Sequence, residues 1–407
     1  MNDPGLSRIS FRNNRRYRMT QLTTVTNRHM EMQSERPRTL IFSQRNLSKI
    51  LPYRCAHFEF EDVISQVDSV EMVAPRVDPS TRRHLLTKQL AYHTPIALNP
   101  GIKRTPLRPG YDLFMAICGN PTDLLRVNAI GDWRNSCKKA VCLIDEVWVK
   151  EIASYRNFLR MLRKFDVVVL YYSQSVKPVN DLIGEDKCIF LPPGVDTIRF
   201  CPYPNPPERT VDVYSIGRRS ATTHRALMKM ASEDGVFYLY DSTSTDQVLD
   251  PTEHRVLFAN VSKRSRYFIV NPGLIDRPDI RGTQIEIGNR YFEAAASGSI
   301  LLGERPQNGE FEKFFNWPGA LIDLPYDSPD VGKTLRELDK QPERQNAMRQ
   351  MNIQQALLRH DWVYRWEAIL KAAGIVPLPQ LEARKEQLKG LAARVIENDP
   401  RRTPVST

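Results

Sequence analysis

A proline-rich break divides this chain into two halves that share one rhythm. Residues 200–209 read Phe-Cys-Pro-Tyr-Pro-Asn-Pro-Pro-Glu-Arg. Proline fixes φ and carries no amide hydrogen, so neither a helix nor a central strand runs through such a stretch. On both sides of it, short apolar runs alternate with longer segments of helical spacing. Before the break, Leu40–Ser43, Val70–Ala74, Tyr111–Ile117, Lys139–Ile144, Val167–Tyr171 and Cys188–Leu191 read as strands. Helical stretches fall near Phe60–Gln66, Thr122–Val127 and Glu151–Phe165, whereas residues 79–108 give no clear element. After it, Val211–Ile216, Phe237–Tyr240, Tyr267–Val270, Ser299–Leu302 and Ala320–Leu324 read as strands. Helices are expected over Thr223–Ala231, Val331–Leu338, Glu343–Leu358 and Trp362–Ile375. Strand–helix alternation of this kind specifies an α/β fold with mostly parallel sheets, one on each side of the break.

A chain of 407 residues is also too long for one ordinary core. The expected organisation is a basic, disordered tail over 1–38 and a first αβ domain over 39–205. A second αβ domain spans 206–375, its segment 362–375 packing back toward the first, and a peripheral helix and tail occupy 376–407. No run approaches the roughly 18 apolar residues that cross a bilayer. The first residues lack the apolar core of a signal peptide. Six cysteines stand at 55, 118, 137, 142, 188 and 201 without metal-like spacing. Together these features read as a cytoplasmic protein with reduced, mostly buried thiols.

The formal net charge is +11. Part of it lies in the tail, with Arg8, Arg12, Arg15, Arg16, Arg18, Arg28, Arg36 and Arg38. Such a tail can touch an anionic membrane or an anionic acceptor. It has no adjoining aromatic stacking pattern or nucleic-acid-binding fold, which argues against nucleic acid as the partner.

Ligands of open α/β sheets sit beyond the carboxyl ends of the strands. Gly217 ends the first strand of the second half and allows close approach of a phosphate; Arg218 and Arg219 follow it. A structural turn beside surface arginines is the alternative. His224, at the start of the next helix, reaches toward the same phosphates or serves as a cap. Arg266, before the strand Tyr267–Val270, is a further candidate, and Asn271 to Gly282 form a polar loop beyond that strand. Residues 285–303 are the densest in signals. A short Ala-rich helix is expected to carry Glu286, Arg290 and Glu293 near one face, with Gly298 ending it before the strand Ser299–Leu302. The simpler reading is an i,i+4 surface pair of Glu286 and Arg290. In the turn Leu191-Pro-Pro-Gly-Val-Asp196, Asp196 caps the next turn and shapes the interdomain hinge.

Over roughly residues 140–375 these motifs resemble a two-domain GT-B glycosyltransferase of the group-1 type, particularly its spore-maturation-protein-like branch. The segment Leu191–Phe200 resembles the end of that family's N-terminal domain, and residues 213–218 the start of its donor domain. Glu286-x6-Glu293 followed by Ala-Ala-Ala-Ser-Gly resembles its acidic donor motif. The resemblance implies two Rossmann-like domains facing across a cleft. It implies that Glu293 binds the ribose hydroxyls of the nucleotide and that Glu286 is the sugar-side carboxylate. The family spaces these glutamates by seven residues rather than six, and His224 stands roughly where the family has a lysine.

The expected activity is transfer of a sugar from a nucleotide diphosphate sugar to an unidentified acceptor, with retention implied by the resemblance. Glu286, Arg218 and His224 are the candidates that act on the reaction; Gly217, Arg218, Arg219, Arg266, Arg290 and Glu293 are those that hold the donor. Asp145, Glu146 and His93 are the candidate bases. No cofactor and no metal ligand set is expected, so the donor is bound as a substrate without a divalent ion. A non-catalytic nucleotide-sugar-binding or assembly protein is the alternative. A two-domain oxidoreductase is disfavoured because the dinucleotide fingerprint GxGxxG is missing.

Overall fold

The computed structural model describes residues 36–47, 50–77, 83–242 and 248–397. The basic tail, but for its last three residues, and the chain after 397 lie outside the described residues.

Two fully parallel sheets form. The first comprises β1 (Thr39–Phe42), β2 (Val70–Val73), β3 (Tyr111–Cys118), β4 (Cys137–Ile144), β5 (Val167–Leu170) and β6 (Cys188–Phe190), in the order β2-β1-β3-β4-β5-β6. The second comprises β7 (Val211–Ser215), β8 (Tyr238–Tyr240), β9 (Ser265–Val270), β10 (Ile300–Gly303) and β11 (Ile322–Asp323), in the order β11-β10-β9-β7-β8. Among the described residues no strand ladder joins the two, and the proline-rich stretch lies between β6 and β7. Strand order reverses between β1 and β3 in one sheet and between β7 and β9 in the other, which opens a crevice at each place.

The strands read as continuous apolar runs because both faces are covered. Leu113, Phe114, Met115 and Ala116 of β3 are all fully buried. One cover of the first sheet comes from the far end of the chain. The helix Trp362–Ala373 packs Trp366, Ile369 and Leu370 into a core with Leu113, Val141 and Val169, and Trp362 stacks on Phe60 at 4.6 Å. The helix Pro379–Glu397 adds Leu381, Leu388 and Val395 to the same core. Seven-residue spacing places these three on one stripe, so this helix belongs to the core despite its charged surface.

Other elements differ from expectation. The apolar period over Glu151–Phe165 gives no single helix: the helix Arg156–Leu159 is flanked by 3-10 turns. Phe158, Leu159 and Leu162 are nevertheless fully buried. The spacing reported which side chains face the core, not the hydrogen-bond period. The described residues between β2 and β3 include the helix Arg83–His93 and an antiparallel bridge between Val77 and Ile102.

Candidate functional site

The carboxyl ends of β4, β5, β7 and β9 converge on a cleft of about 210 Å³. From the first sheet it is lined by Asp145 and Glu146 after β4 and by Tyr171 and Tyr172 after β5. From the second it is lined by Gly217 and Arg218 after β7, Asn271–Leu274 after β9, and Gly288–Arg290 with Glu293.

The helix near Glu293 starts later than expected. It runs Asn289–Ser297, with the extended Gly288 before it and left-handed Gly298 (φ 70°) after it. Glu286 is therefore not on the helix. Gly288 allows close backbone approach: a Cβ there would stand 3.3 Å from the Asn271 carbonyl oxygen. The helix N-terminus has no side-chain cap and opens into the cleft. The first amide groups of a helix have no partner within it, and an end of this kind suits an anion.

Glu293 is buried, and both its oxygens are engaged. Arg290 Nη1 donates to one and Arg255 Nη1 to the other, each at 2.5 Å. Arg255, on the helix Pro251–Lys263, also holds Glu59 of the helix Arg54–Val67 at 2.7 and 3.0 Å. Glu59 further accepts from Trp362 Nε1 at 3.0 Å and from the Asp196 amide at 2.9 Å. Two carboxylates and two guanidinium groups thus alternate in one network that ties the two halves together. Burial pushes the Glu293 carboxyl up, but Arg290 and Arg255 outweigh it and hold the group below its usual range. It stays a carboxylate with lone pairs remaining for hydroxyl donors.

On the facing wall, His57 Nε2 lies 2.8 Å from Asp145 Oδ2. Burial, and next the neighbouring Asp145, push the Glu146 carboxyl up to about 7. Tyr171 presents a buried hydroxyl to which no described residue bonds.

The structure separates the sequence candidates. Gly217 (φ 86°), Arg218, Arg290 and Glu293 share the cleft. Arg218 is 46% exposed there and pairs with Asp276 at 3.1 Å. Arg290 pairs with Glu293, three residues on, and not with Glu286.

Glu286 faces the first half. It accepts from the amides of Ser173 and Gln174, each at 3.2 Å, and from Gln284 Nε2 at 2.8 Å. Gln284 reaches the same elements, donating to Ser175 Oγ and accepting from the Val149 amide. Glu286 is thus a clasp between the halves, which is why an extended segment replaces the expected first helical turn.

Arg219 and His224 line a small neighbouring recess that shares Ile269 and Asn271 with the cleft wall. Arg219 lies 4.9 Å over the Tyr240 ring, and His224 Nδ1 is 3.0 Å from the Tyr238 hydroxyl. Burial, and next Arg219, lower the His224 pKa, which disfavours its charged form. Arg266 stands at the amino end of β9, four residues before the exit at Val270, or roughly 13 Å at about 3.3 Å per residue. It is bound there by Asp212 and Asp339 and does not line the cleft. His93 is exposed at the end of the helix Arg83–His93, away from the cleft lining. Sequence reasoning missed Glu59, Arg255, His57 and Gln284. The available signal was charge inside an apolar run, as in Ala56-His-Phe-Glu-Phe60.

Residues 235–371 match the family described as glycosyl transferase-like. No curated protein matches the chain in sequence. Two solved structures have the same GT-B architecture. One is Alr3699/HepE of Anabaena in complex with UDP-glucose, 10% identical, with a TM-score of 0.50, covering 83% of this chain and 99% of that one. The other is an α-glucosyltransferase in complex with UDP and a 13-mer DNA containing an HMU base, 9% identical, with the same TM-score and coverage. The fold is therefore α/β with two parallel sheets of the GT-B kind.

Proposed function

We propose that this protein transfers a sugar from a nucleotide diphosphate sugar, uridine diphosphate being the first nucleotide to test, to an acceptor held by the first sheet. One observation carries this reading: a buried carboxylate, Glu293, clamped by two arginines beside an uncapped helix N-terminus at the meeting point of two parallel sheets. In this proposal Glu293 accepts from the ribose hydroxyls. Arg218, Arg290 and the amides at the start of Asn289–Ser297 stabilise charge on the departing diphosphate. Gly217 admits the phosphates to the end of β7. The acceptor hydroxyl oxygen bonds to the anomeric carbon on the face from which the diphosphate leaves, as the bond to the diphosphate breaks, so the configuration is kept. Its proton passes to Glu146, whose raised pKa suits proton exchange near neutrality. Asp145, held by His57, orients the acceptor.

Retention, the spore-maturation-like branch and the division near 205/206 complete the proposal on the strength of the resemblance at 191–218 and 286–298. Independence from divalent metal is proposed because Asp276, Asp279 and Glu286 already face Arg218, Arg277 and backbone amides. The alternative, a nucleotide-sugar-binding protein without turnover, draws support from Glu286 being engaged as a clasp.

An anionic membrane surface is the partner proposed for the first half. The described chain between β2 and β3 exposes Val77, Leu85, Leu86, Ile96 and Leu98 alongside Lys88, Lys103, Arg104 and Arg108. Residues 79–110 contain no Asp or Glu. Apolar side chains among cations suit anionic headgroups over a neutral bilayer.

A panel of UDP-sugars with excess chelator tests the central reading. UDP release and sugar transfer are expected to survive chelation, and the anomeric proton of the product reads the stereochemistry. Binding of a donor without turnover would favour the alternative; absence of any binding would remove the proposal.

A further inference from the structure

The structure assigns a second anion-binding site to the hollow between the proline-rich linker and the helix Pro342–Arg359, with Arg209 and Arg349 as its cationic walls. The hollow holds about 290 Å³ and is also lined by Tyr203, Asn346 and Gln350. Every polar side chain among these is a donor or neutral, and no carboxylate lines it.

Among the described residues no carboxylate bonds either guanidinium. Arg209 donates to the carbonyls of Ser265 at 2.6 Å and Ser297 at 3.0 Å. Arg349 donates to Asn346 Oδ1 at 3.3 Å and Gln345 Oε1 at 2.7 Å, both on its own helix. Its Nε is buried with no partner. Of the buried arginines elsewhere among the described residues, Arg54, Arg255 and Arg384 each face a carboxylate, whereas Arg365 donates to the carbonyls of Pro192, Pro193 and Arg359. Two partly buried cations that share a hollow repel one another, and a bound anion relieves that repulsion. Burial, and next the charge of Arg349, push Arg209 down to about 9. The planar forks of two arginines with flanking amides suit a tetrahedral oxyanion, so the ligand class is phosphate, free or as a monoester.

The place is informative. Arg209 holds the carboxyl end of the helix Asn289–Ser297 through Ser297, while the amino end of that helix opens into the cleft. An anion at Arg209 and Arg349 therefore braces the linker against the helix Pro342–Arg359, beside the Ser297 carbonyl that Arg209 also holds. This inference does not rest on the glycosyltransferase reading.

The test uses the full chain, with inorganic phosphate, glycerol phosphate and chloride at matched ionic strength, read by thermal shift. Arg349→Gln is the diagnostic variant, because Arg209 also supports backbone carbonyls. Phosphate is expected to raise Tm. The half-effect concentration should rise about tenfold or more in Arg349→Gln, as for loss of one charge-assisted bond, and the stabilisation should persist in Arg218→Gln, which alters the cleft. Tighter binding of glycerol phosphate than of phosphate would identify a monoester; equal binding would identify the free ion. A tungstate-soaked crystal should give an anomalous peak between Arg209 and Arg349. Phosphate stabilisation unchanged in Arg349→Gln, no stabilisation beyond that of chloride, or no peak at that position would overturn the inference.

Discussion

Replacing Arg255 by methionine removes the centre of the buried network while keeping most of the side-chain volume. Two carboxylates are then left inside the protein. Glu59, 2% exposed, loses both guanidinium bonds and keeps only the Trp362 indole, the Asp196 amide and Arg199 at 4.0 Å. Glu293, 1% exposed, keeps Arg290. Breaking a buried pair by deleting one partner costs about 3–5 kcal/mol, because the remaining charge is uncompensated. A domain's total stability is about 5–15 kcal/mol, so the loss is a large share of it. Urea unfolding at pH 7.5 should therefore show a midpoint shift equivalent to at least about 3 kcal/mol. The double variant Glu59→Gln/Arg255→Met should recover at least about 1 kcal/mol relative to the sum of the singles, since the stranded carboxylate is then neutral. A single-variant loss under about 1 kcal/mol, or strict additivity, would show that water or another cation already compensates Glu59 and that the network does not tie the halves together.

Two further predictions concern groups whose burial raises their pKa. Glu286 is pushed up to about 7 by burial, against hydrogen bonds from Gln284, Gln174 and Ser173. With a folded pKa above the unfolded value near 4.5, the folded protein takes up a proton between about 4.5 and 7, so this group's contribution to stability falls as pH rises through that window. Stability of Glu286→Gln minus that of wild type, plotted from pH 4.5 to 8, should rise with pH and level off above about 7; a flat difference would refute the raised pKa. Glu146→Gln should lower kcat by about 10²–10⁴-fold with little change in donor affinity and remove the acidic limb of the pH–rate profile near 7; an unaltered limb would take the proton from Glu146.

The sheets were legible because parallel strands buried on both faces spell themselves out as runs such as Val167–Leu170, and because Pro202, Pro204, Pro206 and Pro207 leave few options for the backbone. The turn at Gly217 and the Glu293 helix were legible for the same local reasons, a strand exit and an Ala-rich stretch ended by Gly298. What sequence could not give was partnership across the cleft. Glu286 looked helical by spacing, yet it belongs to Ser173 and Gln174, over a hundred positions away. Arg266 looked available, yet two aspartates from distant elements claim it. Glu59 and Arg255 are 196 residues apart, and no local pattern pairs them. The stripe Leu381–Leu388–Val395 was present but obscured by the surrounding charge.

The most direct measurement is a crystal structure with UDP bound. The ribose hydroxyls are expected about 2.6–3.2 Å from a Glu293 oxygen, and the diphosphate between Arg218 and the first amides of Asn289–Ser297. UDP seated instead in the recess of Arg219 and His224, or with its ribose turned away from Glu293, would contradict it.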